Sequence, residues 1–275
     1  TNQPMSMNNR RVLVTGGGTF LGDSIASALI AEGAEVTLLV RAGLEDQLGV
    51  LGQRARWWVA DVWDPASLRG RARGHGVVIH TVGSMQEDPT QGLTHHRLNF
   101  VSTRNVAAMC VSDGVPHMVL MSSAGAPWIS RSYIRAKRDA EVYLNRVGVK
   151  STIIRAPLAY VRGQQRSMFY VMMTALGSVP PISWLGFGRI APMPIDMLAR
   201  GVARVALNPN RSRYIYYASD LRRLNSREEA KGQIPIRFST VDGDAIGRAS
   251  GVHPFDLLDD DTPFGWIPPS NDRQK

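Results

Sequence analysis

Residues 12–22, which read VLVTGGGTFLG, constrain the fold more than any other part of the chain. The apolar start of this segment predicts a buried strand, and the glycines predict a turn that leads into a helix. Glycines remove the side chains that would hold a pyrophosphate away from the backbone, and a helix N-terminus supplies amide donors and a partial positive charge. The segment therefore predicts the opening of a dinucleotide-binding unit. Its predicted cofactor contacts are Gly16, Gly17, Gly18, Thr19, Phe20, Leu21 and Gly22.

Strand-like and helix-like segments alternate along the first 160 residues. Apolar runs predict strands at 11–16, 35–41, 56–62, 77–82, 117–122 and 151–155, and helical spacing predicts helices at 21–32, 95–112 and 133–147. This alternation implies right-handed crossovers and a parallel sheet that is covered on both faces. We predict an α/β fold, a Rossmann-type doubly wound parallel sheet, with residues 1–160 as the dinucleotide-binding domain.

The pattern changes after residue 160. Residues 161–225 are predicted to form a substrate or lid region with an amphipathic helix at 195–207, and residues 226–275 an irregular C-terminal tail. Residues 168–188 contain no charged residue, but Pro180 and Pro181 would break a membrane-spanning helix. We expect a broken helix and loop there, acting as an apolar lid, a substrate wall or a peripheral membrane contact.

The composition favours a globular cytoplasmic protein over a secreted or nucleic-acid-binding one. The chain is 44% hydrophobic and 20% charged, as is typical of globular proteins. Cys110, the only cysteine, is expected in the core, and the polar N-terminal residues lack a signal-peptide core, so we expect a cytoplasmic protein. The net charge of +9 is not accompanied by a nucleic-acid-binding motif, so no nucleic-acid partner is expected.

His95 and His96 have no cysteine or acidic residue at ligand spacing, which favours histidines on a helix surface over a metal site.

The end of the second predicted strand indicates which dinucleotide binds. An acidic residue there selects NAD through the ribose 2′-hydroxyl, whereas a basic residue pairs with the 2′-phosphate of NADP. Arg41 occupies this position, and Arg54 and Arg56 could assist it. We predict that NADP(H) is preferred and keep NAD(H) as an alternative. After the third strand, Asp61 either accepts a hydrogen bond from the adenine amino group or is a solvated turn residue.

A tyrosine and a lysine, Tyr133 and Lys137, are spaced i, i+4 and therefore share a helix face. A tyrosine with a pKa near 10 is a poor acid or base at neutral pH, but a neighbouring ammonium stabilises the phenolate and lowers the pKa. Ser123, at the end of the fifth strand, can hydrogen-bond a substrate carbonyl or hydroxyl. We predict Ser123, Tyr133 and Lys137 as catalytic residues; the alternative is a chance pair on an exposed helix.

These residues resemble the short-chain dehydrogenase/reductase superfamily over residues 11–207. The supporting motifs are the glycine turn, Asp61-Val62, IHTVG at 79–83, NFVSTRN at 99–105, YIRAK at 133–137 and RAP at 155–157. NFVSTRN is similar to the N-x-x-G-T-x-N helix of extended members. The resemblance implies cofactor contacts at Arg41, Asp61, Val62, Thr81, Val82, Gly83, Asn99, Lys137 and Pro157. Residues 122–157, with Glu141, look most like the atypical branch, which contains the NAD(P)H-binding accessory subunit of respiratory complex I and related proteins of coenzyme Q biosynthesis.

Two departures from the family pattern bear on function. Thr19 replaces the middle glycine of G-x-x-G-x-x-G, and because a β-branched residue adopts fewer backbone conformations, we expect altered cofactor geometry. The short separation of Ser123 and Tyr133 makes a nucleotide-sugar substrate less expected.

Three functions therefore compete. The first is an NADP(H)-preferring oxidoreductase that acts on a small apolar carbonyl compound or alcohol. The second is a non-catalytic dinucleotide-binding accessory subunit or assembly factor of a larger respiratory or quinone-related complex. The third is a nucleotide-sugar epimerase or dehydratase.

Overall fold

A seven-stranded parallel sheet forms the centre of the molecule. We describe a computed structural model over residues 10–126, 129–162, 192–208 and 213–236. The strands are β1 Arg11–Gly17, β2 Glu35–Val40, β3 Arg56–Val59, β4 Val77–His80, β5 His117–Ser123, β6 Lys150–Ala156, β7 Ala159–Tyr160, β8 Met193–Pro194 and β9 Ile215–Tyr217. The last of these joins the main sheet, whereas β7 and β8 pair with each other.

The strand order of the main sheet is β3-β2-β1-β4-β5-β6-β9. The chain runs outward from β1 to β3, then returns to place β4 on the other side of β1. In doubly wound sheets a ligand binds outside the carboxyl ends of the strands where the order reverses. The order confirms the predicted Rossmann-type fold and puts the crevice between β1 and β4.

Helices cover both faces of this sheet. They are α1 Phe20–Ala31, α2 Leu51–Arg54, α3 Pro65–Leu68, α4 Ser102–Asp113, α5 Arg131–Arg146, α6 Ile195–Leu207, α7 Ala218–Arg223 and α8 Arg227–Ala230. One apolar cluster packs α1 and α6 against alternate residues of β1 and β2, such as Val12 and Leu38. A second cluster packs α4 and α5 against the other face, through residues such as Leu13 and Leu120. Two buried faces explain why these strands read as continuous apolar runs.

Most predicted elements are found within one or two residues of their predicted ends, but three differ. The predicted third strand ends earlier, at Val59. The predicted helix at 95–112 begins with a π-helical turn, His96–Val101, before α4. Strand β9 was not predicted, because its three residues are too short to show a periodicity.

The predicted lid at 168–188 and most of the predicted tail lie outside the described residues. Within the part of the chain that the structure describes, no helix is long and apolar enough to cross a membrane. The described residues after 160 include α6, which packs on α1, and β9, which extends the main sheet. The division of the chain at residue 160 stays a prediction.

Candidate functional site

The glycine turn after β1, residues 16–22, leaves a space that side chains would fill; we call it the glycine cradle. Gly16 and Gly18 both have φ of +80°, a conformation that favours glycine. A Cβ on Gly22 would lie 2.1 Å from the Gly16 carbonyl oxygen, and a Cβ on Gly16 would lie 2.5 Å from the Thr81 Oγ1. The predicted strand–turn–helix thus has the close backbone approach that a bound diphosphate requires.

Thr19 serves as the N-cap of α1 instead of distorting the turn. Its φ of −116° and ψ of 152° are ordinary extended values, so this position does not need a glycine. The Thr19 hydroxyl donates to the Gly16 carbonyl oxygen at 2.6 Å and accepts from the Gly22 amide at 3.3 Å. The positive φ of the turn lies at Gly18 instead. The expected change in cofactor geometry stays a prediction.

The first amides of α1 are available to an anion. No acceptor among the described residues takes the N–H groups of Phe20 and Leu21. These groups sit at the positive end of a 12-residue helix, directly after the glycine cradle. The residues present therefore fit the diphosphate of a dinucleotide.

Asp23 is a carboxyl group beside this cradle that the sequence analysis did not single out. Its Oδ1 accepts a hydrogen bond from the Gly18 amide at 2.9 Å. Burial raises the pKa of Asp23 to about 7, although the Gly18 hydrogen bond opposes this rise. A group that titrates near neutral pH thus holds the turn that would carry the diphosphate. The only sequence signal was an acidic residue in the first turn of α1.

At the other end of the crevice, Arg41 and Asp61 follow β2 and β3. The Asp61 Oδ1 accepts from the Trp63 amide at 2.8 Å, so this carboxylate closes a turn. Burial raises the pKa of Asp61, while the positive charges of Arg97 and Arg41 lower it. Arg41 and Asp61 thus follow two adjacent strands of the sheet. Contacts from Arg41 and Asp61 to a cofactor stay predictions, as does that of Val62, whose carbonyl accepts from Asn105.

The three predicted catalytic residues line one cleft at the carboxyl ends of β4, β5 and β6. Ser123, Tyr133 and Lys137 border this cleft together with four of the predicted cofactor residues, namely Leu21, Thr81, Gly83 and Pro157. The remaining lining is mostly apolar and includes Met85, Met121, Ala126, Ile129, Leu158 and Leu198. The predicted catalytic trio thus faces a mostly apolar cavity next to the first turn of α1. Val82 is buried in the core.

Lys137 is buried in this cleft with 4% of its surface exposed. Its Nζ donates to the Met121 carbonyl oxygen at 3.2 Å and lies 5.8 Å from the centroid of the Tyr133 ring. Burial lowers the pKa of Lys137 to about 8, and the charge of Glu141 opposes that effect. A Cβ on Gly83 would lie 2.6 Å from this Nζ, so Gly83 makes room for the ammonium.

Asn99 holds the loop that follows β4. Its Oδ1 accepts from the Ser84 amide at 3.0 Å, and its Nδ2 donates to the Ser84 carbonyl oxygen at 2.9 Å and to the His95 carbonyl oxygen at 3.1 Å. Every polar atom of this amide is therefore used within the protein. A cofactor contact by Asn99 stays a prediction.

Burial moves the pKa of Tyr133 in the opposite direction to the one expected. The pKa rises to about 12, and a hydrogen bond with Ser123 and the charge of Arg138 only reduce that rise. The Lys137 ammonium, 5.8 Å from the ring centroid and bonded to the Met121 carbonyl oxygen, does not outweigh this burial. Tyr133 is thus protonated at neutral pH and carries the proton that a carbonyl reduction would consume.

A buried charge network that the sequence did not predict lies behind Ser123. The carboxylate of Glu141 accepts from the Ser122 hydroxyl at 2.6 Å, from Arg138 at 2.5 Å and from Arg155 at 2.6 Å. Arg138 also donates to the Ser123 carbonyl oxygen at 3.0 Å. The network ties α5 to the ends of β5 and β6 and so fixes the position of Ser123.

The prediction that His95 and His96 both lie on a helix surface is wrong for His95. His96 is exposed and packs on Phe100, whereas His95 is buried against Tyr133. Helical spacing alone could not show this, because α5 covers the helix from a distant part of the chain. Among the described residues no cluster of histidine, cysteine and acidic residues could hold a metal ion. Cys110 lies in the core as predicted.

Comparison with known proteins finds a matching family and several relatives. The sequence profile of an NAD(P)H-binding family matches residues 16–168, more than half of the chain. The human protein named sterol-4-alpha-carboxylate 3-dehydrogenase, decarboxylating, is 28% identical over 115 residues, which are 42% of this chain and 29% of that protein. The 2-alkyl-3-oxoalkanoate reductase of Stenotrophomonas maltophilia is 29% identical over 114 residues, 41% of this chain and 33% of that protein. The chain thus spans about a third of the length of these curated relatives.

Solved structures share the fold. A double mutant of dTDP-glucose 4,6-dehydratase from Streptomyces venezuelae, with NAD bound, superposes with a TM-score of 0.53. The match covers 72% of each chain at 20% sequence identity. At this identity the likeness concerns the fold alone, and it agrees with the predicted Rossmann-type fold.

Proposed function

We propose that this chain, which belongs to the NAD(P)H-binding family, is an oxidoreductase that transfers hydride between a nicotinamide dinucleotide and an apolar carbonyl compound or alcohol. One observation carries the proposal. Ser123, Tyr133 and Lys137 border a single, mostly apolar cleft. The same cleft is lined by Leu21, in the first turn of α1 after the glycine cradle, and by Thr81 and Gly83, which follow β4. A binding module needs the cradle but has no need of a buried proton donor beside it.

The cofactor would be held along the crevice from the glycine turn to Lys137. The N–H groups of Phe20 and Leu21 would bind its diphosphate, and Arg41 would bind a ribose 2′-phosphate, which favours NADP(H) over NAD(H). The cofactor supplies or accepts the hydride. Arg41 follows β2 and Asp61 follows the adjacent strand β3, which supports a place for Arg41 at the adenosine end.

The protein residues would then manage the proton. Ser123 would orient the substrate oxygen, since it lines the same cleft as Tyr133; in this structure its hydroxyl donates to the Ala124 carbonyl oxygen at 3.1 Å. Tyr133 would donate its proton to that oxygen as the carbonyl is reduced. The Lys137 ammonium would stabilise the phenolate that results, because an opposite charge nearby favours the ionised form.

The cleft lining supports an apolar substrate. Met85, Met121, Leu158 and Leu198 present hydrocarbon and thioether surface next to the catalytic trio. The two curated relatives are named for acting on a sterol carboxylate and on a 2-alkyl-3-oxoalkanoate, which are large and mostly apolar molecules. We propose a substrate of this general kind for the present chain.

The test is turnover by the purified full chain. NADPH oxidation would be screened against long-chain ketones, aldehydes, quinones and 3-oxo acids, and active pairs repeated with Tyr133→Phe. We expect this variant to lower kcat by about 10²–10⁴, the usual contribution of general acid catalysis, with unchanged NADPH affinity. Tyr143→Phe, on the same helix, is the matched control and should keep full activity. Full activity of Tyr133→Phe would refute the catalytic role.

An accessory-subunit function makes a different prediction in the same experiments. The wild type and Tyr133→Phe would both bind NADPH, neither would turn over any substrate, and both would complement a deletion of the gene. That combination would favour the non-catalytic alternative over the oxidoreductase.

A further inference from the structure

The imidazole of His95 packs against the phenol ring of Tyr133. The two ring centroids are 5.6 Å apart and the ring planes meet at 66°. Only 4% of His95 is exposed. A second titratable ring is thus in contact with the tyrosine that the proposed function uses as its proton donor, although the two rings come from segments almost forty residues apart.

The two ring nitrogens of His95 differ in their surroundings. Nε2 lies 3.8 Å from the Glu87 Oε2, and the Glu87 side chain is 35% exposed. The same carboxylate oxygen accepts the His95 backbone N–H at 3.1 Å, which holds Glu87 beside the ring. Nδ1 is buried and has no hydrogen-bond partner among the described residues. Because buried polar atoms normally have a partner, Nδ1 is a point where a water molecule would be bound.

We propose that His95 and Glu87 return a proton from solvent to Tyr133 after each turnover, with a water on Nδ1 completing the path. This inference rests on the proposed function. Glu87 has one side open to solvent, His95 is the buried intermediate, and Tyr133 is the end point. Lys137, whose ammonium lies over the same ring, is also buried and donates to the Met121 carbonyl oxygen.

The proton and electron count closes for carbonyl reduction. The substrate carbon gains the hydride, the Tyr133 O–H bond breaks, and its proton forms the product hydroxyl. The phenolate then takes a proton through the water from His95, and His95 takes one from solvent beside Glu87. Each hydride transferred therefore draws one proton from solvent.

The charges around His95 suit a group that passes a proton on. Burial lowers the pKa of His95, while Glu87 and a backbone contact with Ser84 raise it. The groups that face the ring are Glu87 from the loop after β4 and Tyr133 from α5. A neutral imidazole that is protonated only transiently can both accept a proton near Glu87 and release one towards Tyr133.

The test compares His95→Gln with His96→Gln, its exposed neighbour, in the full chain. We expect His95→Gln to lower kcat by about 10- to 100-fold, less than the loss of Tyr133 itself, and to raise the solvent deuterium isotope effect on kcat. Added imidazole should restore part of the rate in His95→Ala. Glu87→Gln, in a partly exposed loop, should give the same isotope effect, while His96→Gln should match the wild type. NADPH affinity should stay unchanged throughout.

A packing role for His95 gives another outcome. His95→Gln would then lower the melting temperature but leave the isotope effect and pH profile of kcat as in the wild type, and imidazole would restore nothing. That result would overturn the relay.

A measurement without substrate separates the relay from the proposed function. After a pH jump, formation of the Tyr133 phenolate would be followed by its ultraviolet absorbance, with Tyr133→Phe subtracted as the background. Slower ionisation in His95→Gln than in His96→Gln supports the relay even if no substrate is ever turned over. Equal rates would refute it.

Discussion

Arg155 and Glu141 form a buried ion pair in which Nη2 lies 2.6 Å from Oε2, and this pair joins β6 to α5 behind Ser123. The same carboxylate also accepts from Arg138 and from Ser122. Arg155 in turn donates to the Tyr217 hydroxyl at 2.8 Å, which extends the network to β9. This network therefore couples three strands of the sheet, β5, β6 and β9, to the helix that carries Tyr133 and Lys137.

We predict that Glu141→Gln is strongly destabilising. It leaves Arg138 and Arg155 without their shared counter-charge, and breaking a buried pair costs roughly 3 kcal/mol or more. The lower end applies here because the side chain of Arg155 is 20% exposed. Urea unfolding measures this effect. Asp139→Asn, an exposed acid on the same helix, is the control and should change the free energy of unfolding by less than about 0.5 kcal/mol. Equal effects of the two changes would contradict a structural role for the network.

We predict that Arg41→Gln selectively weakens NADPH binding. A charge-assisted hydrogen bond to the 2′-phosphate contributes about 1.5–3 kcal/mol, so the Kd for NADPH should rise by roughly 10- to 100-fold. The Kd for NADH should hardly change, because NADH lacks this phosphate. Titration by calorimetry with both nucleotides checks the prediction, with Arg146→Gln at the far end of α5 as the control. An equal loss for NADH would assign Arg41 a general electrostatic role.

We predict that Asp23→Asn stabilises the protein at neutral and higher pH. The raised pKa of about 7 means that the folded state holds a proton that the unfolded carboxyl, with its ordinary value of 3.8, has released. Stability of the wild type is therefore lost as pH rises from about 4 to 7, whereas asparagine mimics the protonated form. The difference in melting temperature should be near zero at pH 4 and reach a plateau above pH 7.

The same substitution should affect cofactor binding. Asparagine can still accept from the Gly18 amide, but it removes a negative charge beside the diphosphate cradle. We expect tighter NADPH binding at pH 8 and little change at pH 5. Ser24→Ala, one residue further along α1, is the control. A pH-independent difference in affinity would show that Asp23 does not titrate in this range.

We predict that turnover falls as pH rises through the pKa of Lys137. Its ammonium is present below a pKa of about 8 and is lost above it, and the phenolate of Tyr133 then loses its stabilising charge. In the kcat/KM for dinucleotide, which reports the free enzyme, the wild type should show a descending limb near pH 8. Lys137→Met should be slower and lack that limb. If Lys137→Met shows a descending limb at the same pH, that limb belongs to the titration of another group.

The sequence by itself determined the local features of this protein: its main strands and helices, the glycine turn and the spacing of Tyr133 and Lys137. Apolar runs and helical spacing gave six strands and the principal helices, because strands buried on both faces cannot be polar. Gly16 and Gly22 were predictable because a close backbone approach excludes a side chain. The pairing of Tyr133 with Lys137 followed from the helix repeat alone.

Tertiary structure decided what distant segments do to one another. Strand β9, the partners of Glu141 and the contact of His95 with Tyr133 all depend on which elements pack together, and no periodicity in the sequence records this. The pKa of Tyr133 was also decided by the tertiary structure. The neighbouring Lys137 predicted a lowered pKa, but burial raises it to about 12. Helix spacing fixes which side chains are neighbours, whereas the pKa depends on how much water the surrounding fold removes.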